Sequence, residues 1–138
     1  MELWELVARE SVRDLVARYN ANGDAGRIDE VLALFAPDAS MEVGGTWHHG
    51  REGIRSIFTG ATERFARVPG FTHLRHATAT LQIDLVDRTR AKARCYFFVL
   101  MDHGLDHWGR YLDEFGVVDG RWLFTRRRVL IDKQTRAL

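Results

Sequence analysis

Asp24 and His73, about fifty residues apart, are the two side chains whose types point most directly to chemistry. Asp24 ends the run Arg18-Tyr19-Asn20-Ala21-Asn22-Gly23-Asp24, and His73 opens Thr72-His73-Leu74-Arg75-His76-Ala77. A carboxylate bonded to one ring nitrogen of an imidazole fixes the tautomer and strengthens the other nitrogen as a base near neutral pH. Such a base suits removal of an acidic C–H beside a carbonyl or a leaving group, the first step of dehydration, isomerisation and aldol-type cyclisation. Tyr96 and Tyr111 carry hydroxyls able to hold an oxygen as it gains charge. Each residue also has a plainer reading. Asp24 beside Gly23 is a turn or capping residue, and His73 is an ordinary strand histidine.

Other chemically capable residues are weaker candidates. His76 lies three positions beyond His73, hence on the opposite face of a regular strand, and is expected outside. His48-His49 read as loop histidines. His103 and His107 have the four-residue spacing of two metal ligands on a helix, but they flank a hairpin turn, so no metal is expected. Asp113 and Glu114 alternate faces, and one of them can be an inward acid. In Arg126-Arg127-Arg128 alternation sets Arg127 against its neighbours; a solvated strand end is expected, an inward Arg127 serving a buried carboxylate being the alternative. Cys95 is the sole cysteine, so there is no disulfide framework, and its apolar run makes it a small buried hydrophobe.

The elements that must position these groups follow from periodicity. Leu3, Leu6, Val7, Val12, Leu15, Val16 and Tyr19 approximate one helical face, which Asn20 to Gly26 breaks as a turn. A second helix fits Ile28 to Phe35, stopped by Pro37, and a third runs from Arg51 to Phe65. Between them Ala39 to Val43 reads as a strand. From Phe71 the period becomes two, giving strands over 71–85, 91–101, 107–118 and 121–132, with Asp119-Gly120 the clearest hairpin turn. Helices first and an antiparallel meander second predict an α+β domain spanning residues 1–138. Strands this long twist and curl, and helices across the open side enclose a pocket. Its expected lining is Trp47, Phe58, Phe71, Tyr96, Phe98, Trp108 and Tyr111, with Tyr19 and Met101 completing it.

A chain of 138 residues with 46% apolar and 28% charged residues suits one globular core. A net charge of +1 with interspersed signs leaves no footprint for nucleic acid. No segment is apolar enough to span a membrane and the N-terminus is unlike a signal peptide, so a cytoplasmic location is expected by default.

The chain resembles the SnoaL-like branch of the nuclear transport factor 2-like superfamily. The resemblance rests on Arg18-Tyr19 followed by Asp24, on Leu34-Phe35-Ala36-Pro37-Asp38-Ala39, Gly50-Arg51-Glu52-Gly53-Ile54 and Thr72-His73. It continues through Gly109-Arg110-Tyr111-Leu112-Asp113, Asp119-Gly120-Arg121-Trp122 and the closing Arg-rich strand. It implies a cone of strongly curved, mixed or antiparallel sheet closed by three helices, an α+β barrel with a hydrophobic pocket, usually as a homo-oligomer (dimer or trimer). Within the branch the chain is similar to scytalone dehydratase and lindane dehydrochlorinase. Their catalytic aspartate and histidine fall on Asp24 and His73, which implies a dyad inside the cone. Other helpers are replaced: the dehydratase's second histidine falls near Met101, its serine and asparagine on Gly109 and Tyr111, and the dehydrochlorinase's lysine on Tyr19. The expectation is a cofactor-independent lyase or isomerase (dehydratase, isomerase or polyketide cyclase type) acting on a small hydrophobic, cyclic molecule. The alternative is a non-catalytic small-molecule-binding or oligomerisation module.

Overall fold

The computed structural model describes residues 1–136. Two helices, α1 (Leu3–Asp24) and α2 (Ile28–Leu32), precede β1 (Phe35–Val43) and β2 (Thr46–His49); α3 (Gly50–Ala66) follows, and then β3 (Arg75–Asp87), β4 (Arg90–Met101), β5 (Gly104–Val118) and β6 (Arg121–Gln134). The six strands form one sheet in the order β2-β1-β6-β5-β4-β3, parallel between β1 and β6 and antiparallel elsewhere. The expected mixed, curved sheet under N-terminal helices is present, but it stays open, with β2 and β3 as edges.

Two boundaries differ from the sequence reading in ways that matter. Helix α1 does not break at Asn20; it continues to Asp24, because Ala21, Asn22 and Gly23 are tolerated where tertiary contacts hold the last turns. Its buried stripe is Ala8, Val12, Leu15, Val16, Tyr19 and Asn20, while Leu3, Leu6 and Val7 are exposed. Second, residues 71–74 are irregular and β3 begins only at Arg75.

Bulges bend the sheet. Register slips occur between Ala79 and Gln82 on β3, between Val99 and Leu100 against β5, and between Trp108 and Gly109 against β6. An extra residue on one strand re-aims side chains and increases twist. Thr80, at φ 58°, marks the first bulge. At the third, an added Cβ on Gly109 would lie 1.8 Å from the Leu130 carbonyl oxygen, so only glycine fits.

The core gathers around an ion pair. Arg127 on β6 and Asp113 on β5 face each other in register, both fully buried, bonded at 2.7 and 2.9 Å. The Arg127 guanidinium lies 4.1, 3.9 and 4.6 Å from the ring centroids of Tyr19, Tyr111 and Phe124. Arg127 is therefore the inward residue of its triplet, which corrects the solvated strand end expected for it, and Asp113 is the inward acid. Arg126 and Arg128 reach the partly exposed Glu114 and Glu42. Removing one partner of a buried pair strands the other charge, so Arg127→Leu is expected to cost about 3–5 kcal/mol in urea unfolding. The double substitution Asp113→Leu/Arg127→Met is expected to recover most of that loss, because it strands no charge.

Candidate active site

The concave face of the sheet and helices α1 and α3 enclose a cavity of about 400 Å³, lined mainly by apolar side chains including Ile28, Ile57, Phe58, Phe65, Phe97 and Val129. Its polar lining includes Tyr19, Asn20, Asp24, Arg64, His76, His107 and Tyr111, with Thr62, Thr72 and His73 also present.

Asp24 meets an imidazole in this cavity, but the imidazole is that of His76. Asp24 Oδ1 lies 2.6 Å from His76 Nδ1, and Oδ2 accepts the His76 backbone N–H at 2.8 Å. The side chains are 11% and 22% exposed, so the pair is shielded without being sealed. His73 is exposed, and its Nδ1 lies 2.7 Å from the Thr72 hydroxyl. The expected Asp24–His73 dyad and the exterior His76 are thus both corrected. The alternation used to place His76 requires a regular strand from His73, and the strand starts two residues later. From Arg75 the register pairs His76 with Val99, a fully buried inward residue, so His76 faces inward too.

Asp24 occupies an electrostatically costly position. It ends α1, whose last turn has no basic residue, so its charge sits at the negative end of the helix dipole. The hydrogen bonds from His76 compensate. An ionised carboxylate only accepts, hence His76 Nδ1 is the protonated nitrogen, and Nε2 of the neutral ring keeps its lone pair.

A second carboxylate–imidazole unit lies across the sheet. Val99 pairs on its other side with His107, so His76, Val99 and His107 form a row over three strands, the two histidines about 10 Å apart at the backbone. Asp106 Oδ2 lies 2.6 Å from His107 Nδ1. Neighbouring strand residues ordinarily point to opposite faces. Here Val99 opposes His107 and Leu100 opposes Leu105, which makes Asp106 the extra residue of a bulge, and its carboxyl turns toward its neighbour's ring. Burial pushes the Asp106 carboxyl up, but hydrogen bonds from His107 and Arg136 outweigh it and leave it below the ordinary carboxylate value. Burial pushes the His107 imidazole down against the pull of Asp106, and a charge on His76 lowers it further.

The tyrosines split by face. Tyr111 is buried and its hydroxyl reaches Asn20 Oδ1 at 3.4 Å, whereas Tyr96 is 53% exposed on the outer face. The Tyr19 hydroxyl makes a weak, 4.0 Å hydrogen bond to Met41 Sδ. Burial raises Tyr19 to about 12 and raises Tyr111 as well, so both remain neutral O–H donors. Of the expected lining, Tyr19, Phe58, Phe71 and Tyr111 are in place. Phe98 and Trp108 pair with each other on the outer face, since the inward set of β4 is Ala91, Ala93, Cys95, Phe97, Val99 and Met101. Trp47 stacks under Arg126 at 4.5 Å, away from the cavity. Met101 faces a separate cavity of about 220 Å³ with Phe71, Asp102 and His103. Cys95 is buried as expected, its thiol pushed up to about 11 by burial.

The residues missed were Asn20, His76, Asp106 and His107. Asn20 is legible once α1 is extended, since it lies one turn before Asp24. The others depend on strand start and bulge position, for which the sequence carries no local mark.

No helix among the described residues is long and apolar enough to cross a membrane. No curated protein matches the chain in sequence. Among solved structures it is similar to a provisionally named scytalone dehydratase from Novosphingobium aromaticivorans, at 22% identity and TM-score 0.84 over 100% of this chain and 93% of that one. It is also similar to a hexachlorocyclohexane dehydrochlorinase from Novosphingobium barchaimii, at 17% identity and TM-score 0.82 over 98% and 93%. A nuclear transport factor 2-like protein with a cystatin-like fold from Novosphingobium aromaticivorans gives 24% identity and TM-score 0.77 over 97% and 93%. At these identities the likeness shows the fold. The SnoaL-like domain matches residues 4–128, nearly the whole chain, and the protein therefore belongs to the SnoaL-like family.

Proposed function

We propose that this protein is a cofactor-independent lyase or isomerase in which His76, oriented by Asp24, removes a proton from a small, apolar, ring-sized substrate. The observation that carries this reading is the 2.6 Å Asp24–His76 contact inside a mostly apolar cavity of about 400 Å³. In outline, His76 Nε2 takes a proton from carbon beside a carbonyl, and Asp24 stabilises the imidazolium that forms. The Tyr19 hydroxyl donates to the oxygen that gains charge, its raised pKa keeping the proton in place. The imidazolium then returns the proton, either to a leaving hydroxyl, releasing water, or to a second carbon, completing an isomerisation. His107, whose Nδ1–H is given to Asp106, offers Nε2 as an acceptor for a substrate hydroxyl. Likeness of fold to a dehydratase and a dehydrochlorinase, both named for eliminations, supports this class of reaction.

A panel of cyclic ketones and hydroxylated ring compounds, assayed for turnover and for deuterium uptake from D₂O, tests the reading. His76→Ala and Asp24→Asn are expected to lower kcat by about 10²–10⁴-fold with circular dichroism unchanged. His73→Ala is expected to stay within a few-fold of the parent. Full turnover in His76→Ala overturns the proposed base, and ligand binding with no turnover or exchange in any variant indicates a binding module instead.

The pH dependence of stability follows from His107. Its folded-state pKa is lowered by burial, so the unfolded chain binds the proton more tightly, with an ordinary value of about 6.5. The stability held by the neutral buried ring is complete above that value and is lost as pH falls below it. Urea midpoints measured from about pH 7.5 down to about pH 5.5 are expected to decline, and to decline less in His107→Gln.

A further inference from the structure

Asp106 is completely buried and serves more than His107. Its Oδ1 accepts a hydrogen bond from Arg136 Nε at 2.6 Å and lies 3.0 Å from His103 Nε2, while Oδ2 takes His107 Nδ1 at 2.6 Å. Arg136 follows the end of β6 and is anchored there by its neighbour. The Thr135 backbone N–H donates to the Asp106 carbonyl at 2.7 Å, and the Thr135 hydroxyl donates to the Leu105 carbonyl at 2.7 Å. The Arg136 guanidinium also lies 5.9 Å from the Phe65 ring centroid, and that ring stacks on His107 at 6.2 Å with an interplanar angle of 8°. Thr135 and Arg136 thus close one side of the second imidazole's surroundings.

We propose that Arg136 is a positioning residue for His107, compensating the buried Asp106 charge so that the imidazole stays neutral and presents a lone pair to the cavity. The charge count carries the argument. One ionised carboxylate with no solvent access needs one positive partner, and three candidates surround it: Arg136, His103 and His107. Arg136 is always charged, so while it is docked neither histidine has to be. Without it the carboxylate is uncompensated in a site shielded from water, and protonation of the closest ring becomes the cheapest remedy.

A charge on His76 on β3 opposes a second charge in the row. Arg64 on α3 sits over the Phe65 ring, 5.4 Å from its centroid. Asp24 is engaged by His76. From β4 the Phe97 ring packs on the His107 ring at 6.1 Å and Val99 pairs with His107 across the strands, and neither carries a charge. Arg136 therefore decides whether the cavity meets a hydrogen-bond acceptor or a cation at His107. The proposed role of His107 toward a substrate hydroxyl rests on the functional reading above, but the protonation state itself does not.

The test is a histidine titration of the intact chain by ¹H–¹⁵N NMR, without ligand, with the His107 signals assigned against His107→Gln. Arg136→Met, which keeps an apolar stem over Phe65 and removes the charge, is expected to raise the proton affinity of His107 about tenfold. Arg136→Lys, which restores the charge, should return His107 close to the parent titration. An unchanged His107 in Arg136→Met, proton uptake confined to His103, or an equal rise in Arg136→Lys overturns the proposal. Because no substrate is involved, failure to find any turnover leaves this result standing, and the reverse also holds.

Discussion

The buried Arg127–Asp113 pair is the interaction on which the rest of the structure depends. It joins β5 and β6 at the middle of the sheet, and its guanidinium is roofed by Tyr19 from α1 and by Tyr111 and Phe124 from the sheet. A fully desolvated guanidinium is tolerable only with its carboxylate and its aromatic faces in place. That requirement fixes the seat of α1 on the sheet at Tyr19. Once Tyr19 is seated, Asn20 directly after it and Asp24 one turn beyond Asn20 line the same cavity, because residues four apart share a face. The site is thus built outward from a buried ion pair.

Irregularities of the sheet do the remaining positioning. A regular β5 would send Asp106 and His107 to opposite faces, and only the bulge against Val99 and Leu100 brings carboxylate and imidazole together. The late start of β3 similarly exchanges His73 for His76 as the ring that faces Asp24. Both units have the same logic, a carboxylate holding Nδ1 so that Nε2 faces the cavity, yet they differ in setting. Asp24 has its histidine alone, whereas Asp106 divides its charge between an arginine and two imidazoles.

The fold is shared with the solved structures, as TM-scores near 0.8 show. Gly109 cannot carry a side chain, since the β6 backbone occupies the place of its Cβ, and Tyr111 is spent on Asn20 and Arg127. His107, two residues before Gly109 on the same strand, lines the cavity.

By itself the sequence determined the three helices and five of the six strands in their order, because helix and strand periods of apolar residues are local properties; the short β2, Thr46–His49, carried no such period. It also determined that Asp24 would stand at the end of the first helix region and that Cys95 would be buried. Tertiary structure alone decided which histidine Asp24 holds, which way Arg127 points, and that Phe98 and Trp108 face away from the cavity. The physical reason is that strand alternation has a period of two and no absolute origin. An irregular stretch in place of strand, as at residues 71–74, or one extra residue at a bulge, reassigns inward and outward side chains. That origin is set by partners many positions away: Val99 for His76 and His107, Asp113 for Arg127.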